Sequence, residues 1–161
     1  MSDMLVKLYD LPDAAARIAA LASDGIVVRL AMPYEKSHVV AWVREHFTAT
    51  WADECDAAFA NVPRTCFIAV ERGEIVGFAC HDATCRNFFG PMGVADSHRA
   101  RGIGTTLLLA CLQAMAAAGY AYAIIGGVRN GDIYRKAVGA VEIAGSTPGV
   151  YRDRLAPEKS P

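Results

Sequence analysis

A surplus of positive charge is absent from this 161-residue chain. Lys and Arg number 16 against 17 Asp and Glu, which leaves a net charge of −1 and a pI near 6.4. Dedicated nucleic-acid binders are usually basic, so that role is excluded as the main one, local basic patches aside. A membrane-length apolar run is absent as well. The stretch after Ile103 is interrupted by Gln113, bounded by glycines and too short to favour a span. No basic region precedes an apolar run in Met1-Ser2-Asp3-Met4, so no secretory signal is visible. Together these absences predict a cytoplasmic protein with no membrane and no nucleic-acid partner. The five cysteines, Cys55, Cys66, Cys80, Cys85 and Cys111, are odd in number and widely spaced, which does not read as a disulfide framework. Cys80-His81 with Cys85 lacks the C-x-x-C pair and second ligand cluster that a structural metal needs. The expectation is no metal and reduced, mostly buried thiols. No internal repeat and no domain-dividing linker is visible.

What is present is the material for one domain with a substantial core, 53% apolar residues in all. Met4 to Leu8 reads as a short strand, and Leu11-Pro12-Asp13 opens a helix through Leu21. Ile26-Val27-Val28-Arg29-Leu30 is a β-branched strand broken by Pro33. Val39, Val40, Val43 and Phe47 make residues 34–47 an amphipathic helix. A second helix runs from Thr50 or Trp51 through Phe59, with Asp53, Glu54 and Asp56 on its polar side. Residues 66–70 and 75–80, the latter continuing towards Thr84, form a hairpin across Glu71-Arg72-Gly73-Glu74. Residues 88–94 make the next strand. Residues 102–118 are apolar almost all round, which predicts a helix buried against a sheet and stopped by Gly119. Residues 120–127 read as an interior strand with parallel neighbours. Asp132 caps a short helix closed by Gly139. Residues 140–144 form a strand, residues 150–153 a final edge strand, and the polar tail from Ala156 is expected to be mobile.

The chain is organised around Val94-Ala95-Asp96-Ser97-His98-Arg99-Ala100-Arg101-Gly102-Ile103-Gly104-Thr105-Thr106, a loop between a strand and the apolar helix. Gly102 and Gly104 let a ligand approach the backbone closely. The first amides of the helix have no intrahelical partner and point outward at its positive end. With Arg99 and Arg101 added, the loop reads as a site for a pyrophosphate-like anion. It lacks the third glycine of a dinucleotide fingerprint and the Gly-Lys-Ser/Thr of a P-loop.

The pattern Arg99-x-x-Gly102-x-Gly104, followed by Asn130 and Ile133-Tyr134-Arg135-Lys136-Ala137-Val138-Gly139-Ala140, resembles the GCN5-related N-acetyltransferase (GNAT) superfamily over residues 26–154. The resemblance implies an α/β fold, a mixed central sheet of about seven strands flanked by about four helices. Residues 1–25 would be an extension packed on the core, residues 26–155 the transferase domain and residues 156–161 a mobile tail. It implies acetyl-CoA as co-substrate, no metal, and acetyl transfer to a primary amine of a small molecule. GNAT modules beside glycoside-processing enzymes look similar from Phe88 onward, which points to an amino sugar as acceptor. The amides of Arg101, Gly102, Ile103, Gly104 and Thr105 would hold the pyrophosphate, with Arg99 and Arg101 beside it. Met92 and Val94 would pair with the pantetheine arm, and the strands containing Met92 and Ile125 would splay apart to admit it. Asn130 would bind the pantetheine or order the site, and Tyr134 would protonate the departing thiolate. Three departures stand out: Ala100 where many members carry glycine, Ile133 where they carry phenylalanine, and a longer, more basic Val128-Arg129-Asn130-Gly131.

An alkylammonium has a pKa of about 10.4 and a thiol about 8.5, so the acceptor must lose a proton before attack. The candidates for that base are Glu54, His81 and Asp82. Alternation puts His81 and Asp82 on opposite strand faces. Residues 34–59 and a hairpin around Thr147-Pro148-Gly149 would shape the acceptor site. Phe47, Trp51 and Tyr151 would line it, and Glu54, Asp56 and Asp82 would attract a cation. Exposed strand edges leave room for a homodimer. The alternative function is a non-catalytic acyl-CoA-binding sensor.

Overall fold

A computed structural model describes residues 1–155. Seven strands form one sheet in the order β2-β3-β4-β5-β6-β1-β7. They are β1 (Ser2–Lys7), β2 (Ile26–Leu30), β3 (Cys66–Glu71), β4 (Glu74–His81), β5 (Phe88–Val94), β6 (Tyr122–Val128) and β7 (Val141–Glu142). Five helices accompany them: α1 (Ala15–Ser23), α2 (Lys36–His46), α3 (Ala49–Ala60), α4 (Ile103–Ala117) and α5 (Asp132–Val138). All neighbouring strands are antiparallel except β5 and β6. The expected mixed α/β architecture is therefore present.

Strand alternation divides the core into two layers. One face buries Val76, Ala79, Phe89 and Ile125 under α1, α4 and α5. The other buries Ile68, Ile75, Phe78 and Cys80 under α2 and α3. Helix α4 has a nearly unbroken buried run from Thr106 to Leu112, which its apolar sequence required. The β3–β4 turn is as the sequence indicated, with positive φ at both Arg72 (52°) and Gly73 (86°).

Several elements differ from the sequence expectation. Residues 150–153 are not a strand; Gly149–Tyr151 is a short 3-10 turn. The sheet position beyond β6 belongs instead to the N-terminal strand, which pairs with β6 on one side and β7 on the other. The first residues are thus an interior strand: Met4 and Val6 are buried in the larger core layer. β7 shrinks to two residues, and the expected hairpin around residues 147–149 does not form. β4 stops at His81 rather than reaching Thr84, because Asp82 turns the chain at φ 52°. Asp132 does not cap α5; Asn130 Oδ1 accepts the Asp132 N–H at 3.1 Å and does that work. The tail from Ala156 lies outside the described residues.

Met4 also supports α5, since its sulfur packs within 2.9 Å of the position a Cβ on Gly131 would take. Met4→Ala should therefore lower unfolding free energy by about 2–5 kcal/mol in a denaturant titration. A loss below about 1 kcal/mol would show that β1 adds little to the core.

Candidate active site

β5 and β6 are paired only at Phe88↔Ile124 and Phe89↔Ile125, and then they separate. The cause is an extra residue in each strand at the same level. Against β4, three steps from Phe89 to Met92 oppose two from His81 to Ala79. Against β1, three steps from Ile125 to Val128 oppose two from Met4 to Ser2. A bulge bends the strand that carries it and raises its twist. Gly90 (φ 120°) and Gly127 (φ 61°) supply the backbone angles these bulges need. Pro91 has no N–H to offer a ladder. Residues 90–94 consequently have no rung to β6 among the described residues, while Met92, Gly93 and Val94 stay in register with β4.

The loop after β5 brings Gly102 to φ 81° at the start of α4, whose first amides lack intrahelical acceptors. A Cβ on Gly104 would come no nearer than 3.6 Å to Val94 Cγ2, so the space ahead of that amide is open. These features fit a coenzyme's phosphates and arm. Ala100 carries φ 63°, the left-handed region that glycine tolerates better. The two arginines are already paired. Arg101 Nη2 donates to Glu71 Oε1 at 2.9 Å, and Arg99 bridges to Asp96 at 2.7 Å. His98 is partly covered rather than freely exposed, with Nε2 3.0 Å from Glu71 Oε2. This clamp ties the loop to the β3–β4 turn. A cleft of about 330 Å³ lies beside it, lined by His46, Phe47, Val94, Ala95, Asp96 and Ser97. The tip of the Phe47 ring fills the space over the Gly93 backbone that a Cβ would take. Trp42, Trp51 and Phe78 pack around that ring.

Tyr134 is half-buried on α5 against the layer that holds α4. Burial raises its phenol pKa. Its hydroxyl has no hydrogen-bond partner among the described residues and is not sealed from solvent. Asn130 is exposed, and its side-chain oxygen is used on the α5 backbone.

The opposite face of the splayed strands carries carboxylates. Glu54 Oε1 accepts from the Thr84 hydroxyl at 2.6 Å. The Tyr151 hydroxyl lies 2.9 Å from where a Cβ on Gly126 would stand, over the widening gap. Burial raises the Tyr151 pKa and the Glu54 carboxylate adds to this, while hydrogen bonding with Thr84 opposes it and Asp3 raises it further. Asp3, only 7% exposed, accepts the Gly127 N–H through Oδ1 at 2.9 Å. Neither Asp3 nor Glu54 has a cationic partner among the described residues. Asp56, by contrast, is exposed and paired with Lys36 at 3.0 Å, and Asp53 with Arg44 at 2.8 Å.

His81 and Asp82 do not face opposite ways. His81 Nδ1 meets Asp82 Oδ2 at 3.0 Å, and Asp82 Oδ1 accepts the Asn87 N–H at 2.6 Å. The pair holds the β4–β5 turn together, with the imidazole buried beside Phe67. Sequence reasoning missed Asp3 and Thr84. Gly-Pro and Gly-Gly inside apparent strands were the available signals for the two bulges. It also missed the meeting of Cys55, Cys66 and Cys80, whose sulfurs all lie within 4.8 Å of one another. No helix among the described residues is long and apolar enough to cross a membrane.

A model described as the acetyltransferase (GNAT) family matches residues 34–138. Among solved structures, the GCN5-related glucosamine N-acetyltransferase region of a fungal multi-domain GH3 beta-N-acetylglucosaminidase superposes with TM-score 0.71 at 16% identity. That match covers 88% of this chain and 19% of the other. A GCN5-related N-acetyltransferase from Sphaerobacter thermophilus gives TM-score 0.64 at 23% identity, over 88% and 48% of the two chains. One from Kribbella flavida gives 0.57 at 20%, over 88% and 53%. The chain thus spans about half, or less, of the length of these structures, and the likeness is one of fold. No curated protein matches the sequence.

Burial holds the His81 imidazole below its ordinary pKa, against the opposing pull of Asp82. The unfolded chain takes up this proton near pH 6.5 and the folded chain only at lower pH. Its contribution to stability is therefore complete above about pH 6.5 and lost as pH falls through the folded value. His81→Gln should lose less unfolding free energy than the native chain between about pH 7.5 and about pH 5. Equal losses in parallel denaturant titrations would remove His81 as the source.

Proposed function

The chain belongs to the GNAT acetyltransferase family, and from that premise we propose that it moves an acetyl group from acetyl-CoA to the primary amine of a small molecule by direct attack. The observation that carries this reading is the paired bulge that opens β5 from β6 beside the glycine loop. The co-substrate supplies an activated acetyl thioester. The amides of Arg101, Gly102, Ile103, Gly104 and Thr105 would hold its pyrophosphate at the α4 N-terminus. Arg99 and Arg101 would turn from Asp96 and Glu71 to meet the phosphates. The unladdered backbone at Met92 and Val94 would pair with the pantetheine arm, and an amide beside them would polarise the thioester carbonyl.

Tyr134 is the general acid in this reading. Burial keeps its phenol protonated at neutral pH, as a proton donor to a thiolate must be. Asn130 acts one step back, by capping the helix that presents Tyr134. On the acceptor side Glu54 has better support than His81 as the proton acceptor. Its carboxylate is half-buried beside Thr84 and Tyr151, whereas the His81 Nδ1 is engaged by Asp82. Asp3 and Glu54 together give that side two carboxylates without counter-ions, which favours a cationic amine. An amino sugar is one such acceptor, and the fungal region compared above is a glucosamine N-acetyltransferase.

A coenzyme A release screen across alkylamines, amino sugars and peptides tests the reading directly. With the acceptor found, Tyr134→Phe should lower kcat by about 10² or more with acetyl-CoA affinity intact. Binding without turnover on every amine would instead support a non-catalytic acyl-CoA sensor. Gly104→Val should weaken acetyl-CoA at least about tenfold by calorimetry in a folded variant, since the branched side chain takes the anion's space. Unchanged affinity would place the phosphates elsewhere.

A further inference from the structure

Helix α3 crosses β3 and β4 where three of the five cysteines meet. Cys66 and Cys80 are cross-strand partners, and Cys55 descends on them from the helix. All three are fully buried. Their sulfurs lie within 4.8 Å of one another, and Cys55 Sγ is 3.8 Å from Cys66 Sγ. Sulfurs bound to one centre at ~2.3 Å sit ~3.8 Å apart at tetrahedral angles and ~3.5 Å apart at the narrower angles of a pyramidal trivalent centre. The Cys55–Cys66 pair already stands near that range, and with all three sulfurs within 4.8 Å of one another the remaining closure asks for side-chain rotation rather than backbone movement.

The surroundings select what such a centre can be. No nitrogen or carboxylate ligand joins the three sulfurs among the described residues, and the walls are Ala52, Phe59, Ile68 and Phe78. A zinc ion takes four ligands, and here only three are offered. A divalent ion on three thiolates would also leave a net negative charge in an apolar layer, which is costly without a partner. A trivalent centre satisfied by three sulfurs has neither problem. We propose that Cys55, Cys66 and Cys80 form a three-sulfur site for a trivalent arsenical of the arsenous acid class. Three As–O bonds break and three As–S bonds form. The three thiol protons leave with the three hydroxides as water, no atom changes oxidation state, and the product is neutral like its walls. The centre would pin α3 to β3 and β4, and with it Glu54, the neighbour of Cys55 in sequence.

Native mass spectrometry of the reduced protein with one equivalent of sodium arsenite tests this, whatever the chain's catalytic activity. The expected species is one adduct per chain, heavier by one arsenic less three hydrogens. It should persist in Cys85→Ser and Cys111→Ser, and in Cys66→Ser it should vanish or convert to a two-sulfur form that keeps a hydroxyl. The loaded native chain should also melt at higher temperature than the unloaded one. The native-chain mass is decisive even where a variant does not fold. No adduct, an adduct that retains hydroxyl in the native chain, or a full adduct in Cys66→Ser overturns the site. So does displacement of arsenic by an equal concentration of Cd(II), because the charge argument then fails.

Discussion

Everything about the site depends on two strands that stop pairing at the same level. A parallel pair in mid-sheet normally continues until its strands end, because every broken rung leaves a donor and an acceptor without partners. Here β5 and β6 each take one extra residue just beyond Phe89 and Ile125, on the sides facing their other neighbours. The outer ladders absorb the extra residues, and the inner pair bends apart. The rungs given up at the gap are those that the proposed pantetheine arm, with its own amides, would replace. On the β6 side one amide already has a substitute, since the Gly127 N–H donates to the Asp3 carboxylate.

The sheet also separates two kinds of chemistry. The loop at Gly102 and the half-buried Tyr134 belong with α4 and α5. Glu54, Thr84 and Tyr151 belong with α3 and the opposite face of β6. The gap is the only place among the described strands where interior neighbours come apart. Donor amides at a helix start favour negative charge, and two unpaired carboxylates favour positive charge. The two faces are therefore electrostatically opposite, with the opening between them.

The strand, glycine loop and helix around Gly102 were legible in the sequence because they are local. Arg99-x-x-Gly102-x-Gly104 lies within six residues, and its strand and helix flank it directly. The apolar run of α4 and the hairpin at Arg72-Gly73 are likewise read from neighbouring residues. The carboxylate-bearing side was poorly legible because it is assembled at long range. Asp3 and Gly127 are 124 positions apart, and Thr84 and Glu54 are 30 apart. The misreading of residues 150–153 has the same origin. Val150 and Tyr151 have strand-like propensity, but Gly149–Tyr151 turns as a short 3-10 segment that places the Tyr151 hydroxyl over Gly126, and context overrides propensity. His81 and Asp82 were misjudged because alternation ends with the strand, at His81 rather than at Thr84.

The position of β1 has a consequence for how the molecule is made. Synthesis delivers Ser2–Lys7 well before either partner of that strand, Tyr122–Val128 or Val141–Glu142. Closing so long a loop costs entropy before any rung rewards it. The β2–β5 meander and α4 can collapse while the leading segment is still unpaired. Pairing of that segment completes the sheet and brings Asp3 to Gly127. A chain in which β1 has not yet paired would therefore hold its Gly102 loop without the opposing Asp3 carboxylate.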